Sequence, residues 1–364
     1  MKDPRDEQYA RLLVETCIDV QPGWQVLVSA GVLGRPLFDE VCKVVAERGA
    51  YVLPRVTFAA FGPPYPWVRT ASDELLSAPA PIEEYAFLNA DAAVAIVAPE
   101  NTREGSDVEQ RRMQLIQKGA HRIMDRFISG DVPWVGCQYP TSALAQDAGM
   151  TLEQFAEFLY GSVLLDWDAE RERMQKIKEL FDAADEVRIV GDRTDLRIGL
   201  AGREGKIDAA GANIPGGEVF YSPVEDTAEG EIVFSEFPAV YVGRELTGIR
   251  LRFEGGRVVD AGADANEDFL LEVLDTDDGA RRLGELGIGC NPGITQYMKN
   301  TLFDEKMNGT VHLALGRGFP DLGGENISAI HWDIVKDVRQ GRIELDGTVV
   351  QENGDWAHEL AGHS

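Results

Sequence analysis

Apolar residues in the first third of the chain alternate between short continuous runs and helical spacing. The runs predict strands at residues 24–28, 51–58 and 92–97, and the three- and four-residue spacing predicts helices at 11–20 and 36–48. Strands that are apolar throughout are typical of parallel sheets, which have helices on both faces. This region is therefore predicted to be an α/β domain with a mostly parallel sheet.

A long helical stretch follows at residues 151–183. Its apolar residues recur at three- and four-residue intervals, and residues 170–178 alternate acidic and basic side chains as on a solvated helix face. Charged helices of this length often connect domains. We therefore expect two domains, an N-terminal α/β domain at 1–170 and a C-terminal domain at 171–364.

Beyond residue 183 the pattern becomes β-rich. Apolar runs bounded by Gly, Pro or Asp predict strands at residues 186–190, 196–200, 231–234, 240–242 and 249–253. A hairpin is predicted at 253–258, and a second one where 342–345 meets 348–350 across Asp346-Gly347. The C-terminal domain is therefore predicted to be β-rich, of the α+β type.

Composition narrows the classes of function. A formal net charge of −27 over 364 residues opposes binding to nucleic acid or to an anionic membrane. The charged N-terminus has no signal-peptide-like apolar stretch behind it, and no run of about 18 apolar residues occurs. The four cysteines lie far apart, without the close pairs of metal or redox motifs. We expect a cytoplasmic protein with reduced thiols.

Arginine greatly outnumbers lysine in this acidic chain. Together these features suggest a cytoplasm of high salt concentration, where screening would relax the repulsion between acidic side chains.

Two of the five histidines lie in apolar, strand-like segments near the C-terminus, His312 in residues 309–316 and His331 in 328–335. Residues i and i+2 of a strand project to the same side, so His331 and Asp333 can bind one transition-metal ion together. The alternative for such a histidine is a hydrogen-bonded core residue. The carboxylate of Asp333 favours a metal, because burying it among apolar neighbours is costly unless a cation or a donor compensates it.

Two glutamates lie in Gly- and Pro-rich segments. Glu218 follows the turn at 213–217 and begins an apolar strand, and Glu285 lies in a segment with three glycines between 284 and 289. Such a backbone can approach a ligand closely. The alternative for each glutamate is a turn residue at the surface.

Several motifs in order along nearly the whole chain closely resemble those of the thermophilic aminopeptidase family that comprises aminopeptidases T and S. They are GWQVLV at 23–28, YPTSALAQDAGM at 139–150, IPGGEVF at 214–220, GELG at 284–287, FDEK at 303–306, TVHLALG at 310–316 and HWD at 331–333.

The resemblance implies a metallo-aminopeptidase that removes N-terminal residues from peptides. It places the ligands of two divalent ions (zinc, cobalt, manganese or magnesium) on Glu218, Glu285, His312, His331 and Asp333. A water shared between the ions would attack the scissile carbonyl as hydroxide, with Glu218 and Glu285 as the catalytic carboxylates that also anchor the free α-amino group. The resemblance further implies a homodimer.

The chain departs from the family seven residues after His312, where a tyrosine ligand is replaced by Phe319. The loss of one donor predicts weaker or altered occupancy of one metal position. Asp321, Glu325, a water or a rearranged loop could substitute for the missing oxygen, and the sequence leaves these alternatives open.

Two other functions remain open. His312, His331 and Asp333 match the facial triad of non-haem Fe(II) oxygenases, and the chain is similar to a dihydroxypyridine ring-cleaving dioxygenase. That enzyme carries a histidine where Glu285 stands and lacks the acid at Glu218, so we favour hydrolysis. The other alternative to the metallo-aminopeptidase is a relative whose metal site is degenerate.

Three further predictions concern isolated polar residues. Lys306 is expected in a surface ion pair, the alternative being that it orients a substrate carboxylate or carbonyl. His121 is expected on a solvated basic helix face. The polar tail that holds His358 and His363 is expected to take no part in catalysis.

Overall fold

The computed structural model describes residues 3–58, 62–128, 130 and 132–357. Within these residues the chain packs as two compact units, and it passes between them after Leu164, after Ala209 and after Ile214. The first unit therefore includes the short segment Ala210–Ile214 besides the N-terminal part. Separately folding domains at 1–170 and 171–364 remain a proposal.

The strands of the described residues, in chain order, are β1 Gln25–Gly31, β2 Tyr51–Thr57, β3 Ala92–Val97, β4 Trp134–Gln138, β5 Glu186–Gly191, β6 Thr194–Gly199, β7 Lys206–Asp208, β8 Asn213–Ile214, β9 Glu218–Tyr221, β10 Glu229–Phe234, β11 Ala239–Tyr241, β12 Arg244–Leu246, β13 Ile249–Glu254, β14 Arg257–Gly262, β15 Leu283–Gly289, β16 Thr310–Gly316, β17 His331–Asp337, β18 Arg342–Leu345, β19 Thr348–Glu352 and β20 Asp355–Trp356.

The α-helices are α1 Arg5–Arg11, α2 Arg35–Glu47, α3 Tyr65–Thr70, α4 Asp73–Leu76, α5 Pro81–Asn89, α6 Gln110–Gly119, α7 His121–Ile128, α8 Ser142–Asp147, α9 Leu152–Val163, α10 Trp167–Asp182, α11 Glu267–Leu274 and α12 Thr301–Asp304. A π-helical segment, Leu12–Cys17, continues α1, and short 3₁₀ turns occur at Val32–Gly34, Asp278–Arg281 and Pro320–Leu322.

The first unit is built on a five-stranded parallel sheet with the order β2-β1-β3-β4-β8. The predicted parallel sheet and α/β class are confirmed. The helix expected at 11–20 is shifted: α1 begins at Arg5, and Leu12–Cys17 forms the π segment. The side chains of Leu13 and Val14 in that segment are fully buried.

The helical stretch expected at 151–183 is two helices. A capping box between Thr151 and Gln154 starts α9, and the Asp166 carboxylate accepts a hydrogen bond from the Ala169 backbone N–H to start α10. The chain passes from the first unit to the second between these helices, after Leu164.

The second unit contains two larger sheets. One has eight strands in the order β14-β13-β10-β6-β5-β18-β19-β20, and the other has five in the order β17-β16-β15-β9-β7. Both are antiparallel, and β13–β14 and β18–β19 form the two hairpins predicted from the sequence. The predicted β-rich α+β character of this part is confirmed.

Two central strands of the sheet β17-β16-β15-β9-β7 are buried along their whole length. Every residue of β15 and β16 is buried, and these two strands pair with each other and with β9 and β17 on either side. Polar residues on these strands are therefore held in a low-dielectric environment, where they need a partner or a bound ion.

The remaining predictions concern isolated residues. His121 is exposed, as expected, whereas His358 and His363 lie outside the described residues. All four cysteines are free thiols, with Cys137 and Cys290 buried. Among the described helices, none combines the length and the apolar character needed to span a membrane.

Candidate metal centre

The five residues predicted as ligands lie on one face of the sheet β17-β16-β15-β9-β7. His331 and Asp333 project from the same side of β17, because side chains alternate along a strand. The register pairs Asp333 with Ala314 of β16. His312 pairs with Gly287 of β15, two residues from Glu285 and thus on its face. Glu218 begins β9, the strand next to β15, and pairs there with Gly289 at the end of β15.

These side chains assemble as two groups. The inner group is Glu218, Glu285 and His312, all of them buried, and the outer group is Glu285, His331 and Asp333, which is partly exposed. Within each group one ligand atom from each residue lies within 4.8 Å of the others. Glu285 belongs to both groups.

The two oxygens of Glu285 face different histidines. Oε1 lies 3.4 Å from Nε2 of His312, and Oε2 lies 3.1 Å from Nε2 of His331. A carboxylate oriented in this way can give one oxygen to each of two cations. The geometry therefore joins the two groups through a single side chain.

Backbone carbonyls orient both imidazoles. Nδ1 of His312 donates to the carbonyl oxygen of Glu305 at 3.0 Å, and Nδ1 of His331 donates to that of Arg317 at 2.8 Å. Each ring therefore directs Nε2 towards the carboxylates, the arrangement that metal-binding histidines commonly have. Sequence reasoning missed both carbonyl acceptors, because any residue type supplies a carbonyl oxygen.

The carboxylates shift the ionisation of the histidines. Burial lowers the pKa of His312, but the hydrogen bond and charge of Glu285 outweigh it and raise the pKa to about 10. For His331, burial is outweighed by Asp333 and Glu285, and the pKa rises to about 11. Burial disfavours the Glu285 anion, yet the two rings lower its pKa to about 2. Without metal, the carboxylates therefore favour protonated rings.

The donor spacing fits metal ions. Oε2 of Glu218 and Oδ1 of Asp333 are buried and have no hydrogen-bond partner among the described residues. They lie 3.5 Å from Nε2 of His312 and 3.6 Å from Nε2 of His331, respectively. Two donors on a tetrahedral ion with bonds of about 2.1 Å are separated by about 3.4 Å. Imidazole nitrogen and carboxylate oxygen are also donors typical of zinc, cobalt and manganese.

Two glycines allow the strands to carry these donors. A Cβ at position 287 would overlap the ring of His312 across the sheet, so only glycine leaves room for the imidazole. Gly217, with a φ of +117°, lies against Asn291 and turns the chain immediately before Glu218. The Gly-rich segments noted in the sequence thus permit close approach of strands and side chains.

Lys306 does not lie in a surface ion pair, and that prediction is wrong. Its side chain is 0% exposed, with Nζ 3.1 Å from Oε1 of Glu218 and in contact with Oε1 of Glu305. The sequence showed the Asp-Glu-Lys run but not its depth, because the burial of Lys306 depends on tertiary packing. The carboxylates around Lys306, including that of Asp208, outweigh burial and raise its pKa.

Phe319 lies next to the outer group. Its ring packs against Phe220 with centroids 5.6 Å apart, and its backbone N–H donates to Oγ of Ser222. Two acids were considered as substitutes for its missing oxygen, Asp321 and Glu325. Neither belongs to a metal-binding group, and Asp321 pairs with Lys206. Among the described residues, no further His, Cys, Asp or Glu side chain belongs to either group.

The family model for the thermophilic metalloproteases (M29) matches residues 2–356. The chain belongs to this metalloprotease family. Membership implies a requirement for divalent metal ions, which agrees with the two groups of donors.

Curated relatives of this metalloprotease are named aminopeptidases. It is 27% identical to aminopeptidase 2 of Geobacillus stearothermophilus over 98% of both chains, and 28% identical to aminopeptidase AmpS of Bacillus subtilis over 96% and 97%. It is 38% identical to aminopeptidase T of Thermus aquaticus over 43% of each chain.

Two solved structures share the fold. Wild-type AmpT from Thermus thermophilus superposes with a TM-score of 0.83 at 23% identity, covering 97% of this chain and 99% of that one. The 2,5-dihydroxypyridine dioxygenase from Pseudomonas putida superposes with a TM-score of 0.60 at 15% identity, covering 97% of both. At these identities the likeness concerns the fold alone.

Proposed function

We propose that this metalloprotease is an aminopeptidase that removes residues from the N-termini of peptides with two divalent ions. The observation that carries the proposal is the orientation of Glu285, whose two oxygens face His312 and His331 separately. The aminopeptidase names of relatives matched over nearly the whole chain support the reaction.

The inner group would hold one ion and the outer group the other. The unpartnered oxygens of Glu218 and Asp333 support this assignment, because a buried carboxylate oxygen without a donor is costly unless a cation is bound. Bound divalent ions supply Lewis acidity, which activates water and polarises the scissile carbonyl. Glu305 and Arg317 hold the two histidines in place through their carbonyl oxygens.

Glu218 and Glu285 are the catalytic carboxylates of this proposal, because they contribute donors to the ions that would activate water. Asp333 also lines a pocket that has Phe237 and Tyr297 in its wall. Their rings stack at 4.7 Å and give that wall an apolar surface for a substrate side chain.

The dioxygenase reading is weaker. A facial triad requires His312, His331 and Asp333 around one ion, but neither group assembled in the described chain contains both histidines. Each histidine instead faces a different oxygen of Glu285. The third hypothesis, a degenerate site, depends on Phe319, yet the three donors of the inner group do not include that position.

Three further features belong to the proposal. The ions are zinc, cobalt, manganese or magnesium, since all accept carboxylate oxygens and the first three also favour imidazole. The proposal includes a cytoplasmic location, which fits four free cysteines, and a homodimer, as the family resemblance implies.

Metal analysis combined with hydrolysis of leucine p-nitroanilide tests the function. We expect two ions per chain, loss of hydrolysis after chelation, and recovery on adding Zn²⁺, Co²⁺ or Mn²⁺. N-acetylated leucine p-nitroanilide should not be cleaved, because the free amino group is absent. One iron per chain with oxygen consumption on a dihydroxypyridine would instead support the dioxygenase.

A matched pair of variants adds a control on the same strand. Asp333→Asn removes an outer donor, whereas Asp337→Asn removes a carboxylate that pairs with Arg339. We expect loss of metal and of hydrolysis only for Asp333→Asn. Equal activity in both variants would contradict the assignment of the outer group.

A further inference from the structure

Lys306 lies behind the inner group, with its ammonium among carboxylates. Its side chain is fully buried, Nζ lies 3.1 Å from Oε1 of Glu218, and it donates to Oε1 of Glu305. The charge of Asp208 also acts on it. No part of Lys306 is accessible to a substrate, so any effect on the reaction must pass through the groups that it contacts.

The two oxygens of Glu218 have different surroundings. Oε1 faces the ammonium of Lys306, whereas Oε2 lies 3.5 Å from Nε2 of His312 and accepts no hydrogen bond from the described residues. An ammonium at one oxygen of a carboxylate draws negative charge to that oxygen and occupies one of its lone pairs, which favours binding of a metal ion through the other oxygen. In Glu218 this preference favours Oε2.

Lys306 is also connected to the second donor of the inner group. The preceding residue, Glu305, accepts the Nδ1–H of His312 with its backbone oxygen and the Lys306 ammonium with its side chain. The same segment thus contacts two of the three inner donors. Stability alone does not explain why Lys306 is buried among carboxylates, because replacing a buried ion pair by apolar residues is often neutral or stabilising.

We propose that Lys306 is a positioning residue that occupies Oε1 of Glu218 and leaves Oε2 as the one oxygen offered to the inner ion. This inference rests on the proposed metal centre. Without the ammonium, both oxygens of Glu218 can reach the ion, and its coordination number and geometry change.

Cobalt substitution of the full-length protein tests this role. The visible absorption of Co²⁺ weakens as its coordination number rises, so Lys306→Met should bind two cobalt ions with weaker absorption than the wild type. We expect kcat for leucine p-nitroanilide to fall about 10- to 100-fold, the usual range for partners of metal ligands. KM should stay within about twofold, because Lys306 touches no substrate.

Lys336→Met is the matched control. Lys336 is 1% exposed and its Nζ lies 2.6 Å from Oε1 of Glu236, so it too is a buried lysine with a carboxylate partner. It lies on β17, but strand alternation places it on the face opposite His331 and Asp333. We expect reduced stability in this variant, with the cobalt spectrum and kcat of the wild type.

The possible results distinguish a failure of the proposed function from a failure of the role inferred for Lys306. A wild type that binds no cobalt overturns the proposed function and this inference with it. A metal-binding, active wild type together with a Lys306→Met variant of unchanged spectrum and kcat overturns the role of Lys306 alone. Should that variant not fold, Glu305→Gln with Lys306→Met removes one carboxylate together with the ammonium, and the same measurements decide.

Discussion

The ring of Phe319 packs against the ring of His331, with the two centroids 5.3 Å apart. The contact holds an aromatic side chain beside the outer group but supplies no oxygen to it. Phe319→Tyr should add a donor there and tighten binding of the more weakly held ion about tenfold, as changes around metal ligands commonly do. Calorimetric titration of the chelated protein with Zn²⁺ measures this. Phe87→Tyr, at a half-buried ring in the first unit, is the control; equal affinities in both variants would contradict the expectation.

Glu285 and His331 should differ in how many ions they affect. Because Glu285 belongs to both groups, Glu285→Gln should lower the metal content at both positions, whereas His331→Ala should lower it mainly at the outer one. Both variants should lose hydrolysis. Elemental analysis after gel filtration gives the metal content of each. Unchanged turnover in His331→Ala would remove that residue from the ligand set.

The stability of the metal-free protein should fall as the pH rises above neutrality. His312 and His331 have pKa values raised to about 10 and 11, compared with the ordinary histidine value of 6.5. The stability that their protonated rings contribute is fully present below pH 6.5 and is lost as the pH passes through 10 and 11. Melting curves of chelated protein between pH 7 and about 10 test this.

Metal binding should show the opposite dependence, because the ions compete with the same protons. Affinity for Zn²⁺ should rise between pH 6 and about 8, and calorimetry in buffers of different ionisation enthalpy should record proton release. Metal uptake that releases no protons would contradict protonated rings in the metal-free site.

Gly287→Ala should displace His312, since the added Cβ would occupy the position of the imidazole ring. We expect loss of the inner ion and destabilisation by about 1–3 kcal/mol, as for overpacked cores. Metal content and urea unfolding measure the two effects. Gly161→Ala is the control: no atom lies within 4 Å of its Cβ position, so this helical substitution should stabilise by about 0.5–1 kcal/mol. Full metal content in Gly287→Ala would contradict the steric argument.

The net charge of −27 predicts a response to salt. Screening of the repulsion between acidic side chains should raise the melting temperature between low and molar KCl. A melting temperature that stays flat or falls over this range would count against adaptation to a high-salt cytoplasm.

Local patterns in the sequence were sufficient to predict some parts of the metal centre and not others. The i, i+2 spacing of His331 and Asp333 predicted a shared face because strand geometry is local. Glu218 and Glu285, distant in sequence, were assigned through the resemblance, and only the sheet register brings them beside His312. Lys306 was misplaced, because depth of burial depends on tertiary packing.

Strand β17, which carries His331 and Asp333, is at the edge of its sheet and pairs there only with β16 among the described strands. An ion in the outer group would connect this edge strand to Glu285 on β15, across the intervening strand, as a cross-link does. Chelation would remove this link and leave β17 held by its pairing with β16 and by its packing, and an edge strand that opens more easily can add to the sheet of another chain. Loss of metal would thus promote aggregation as well as inactivation.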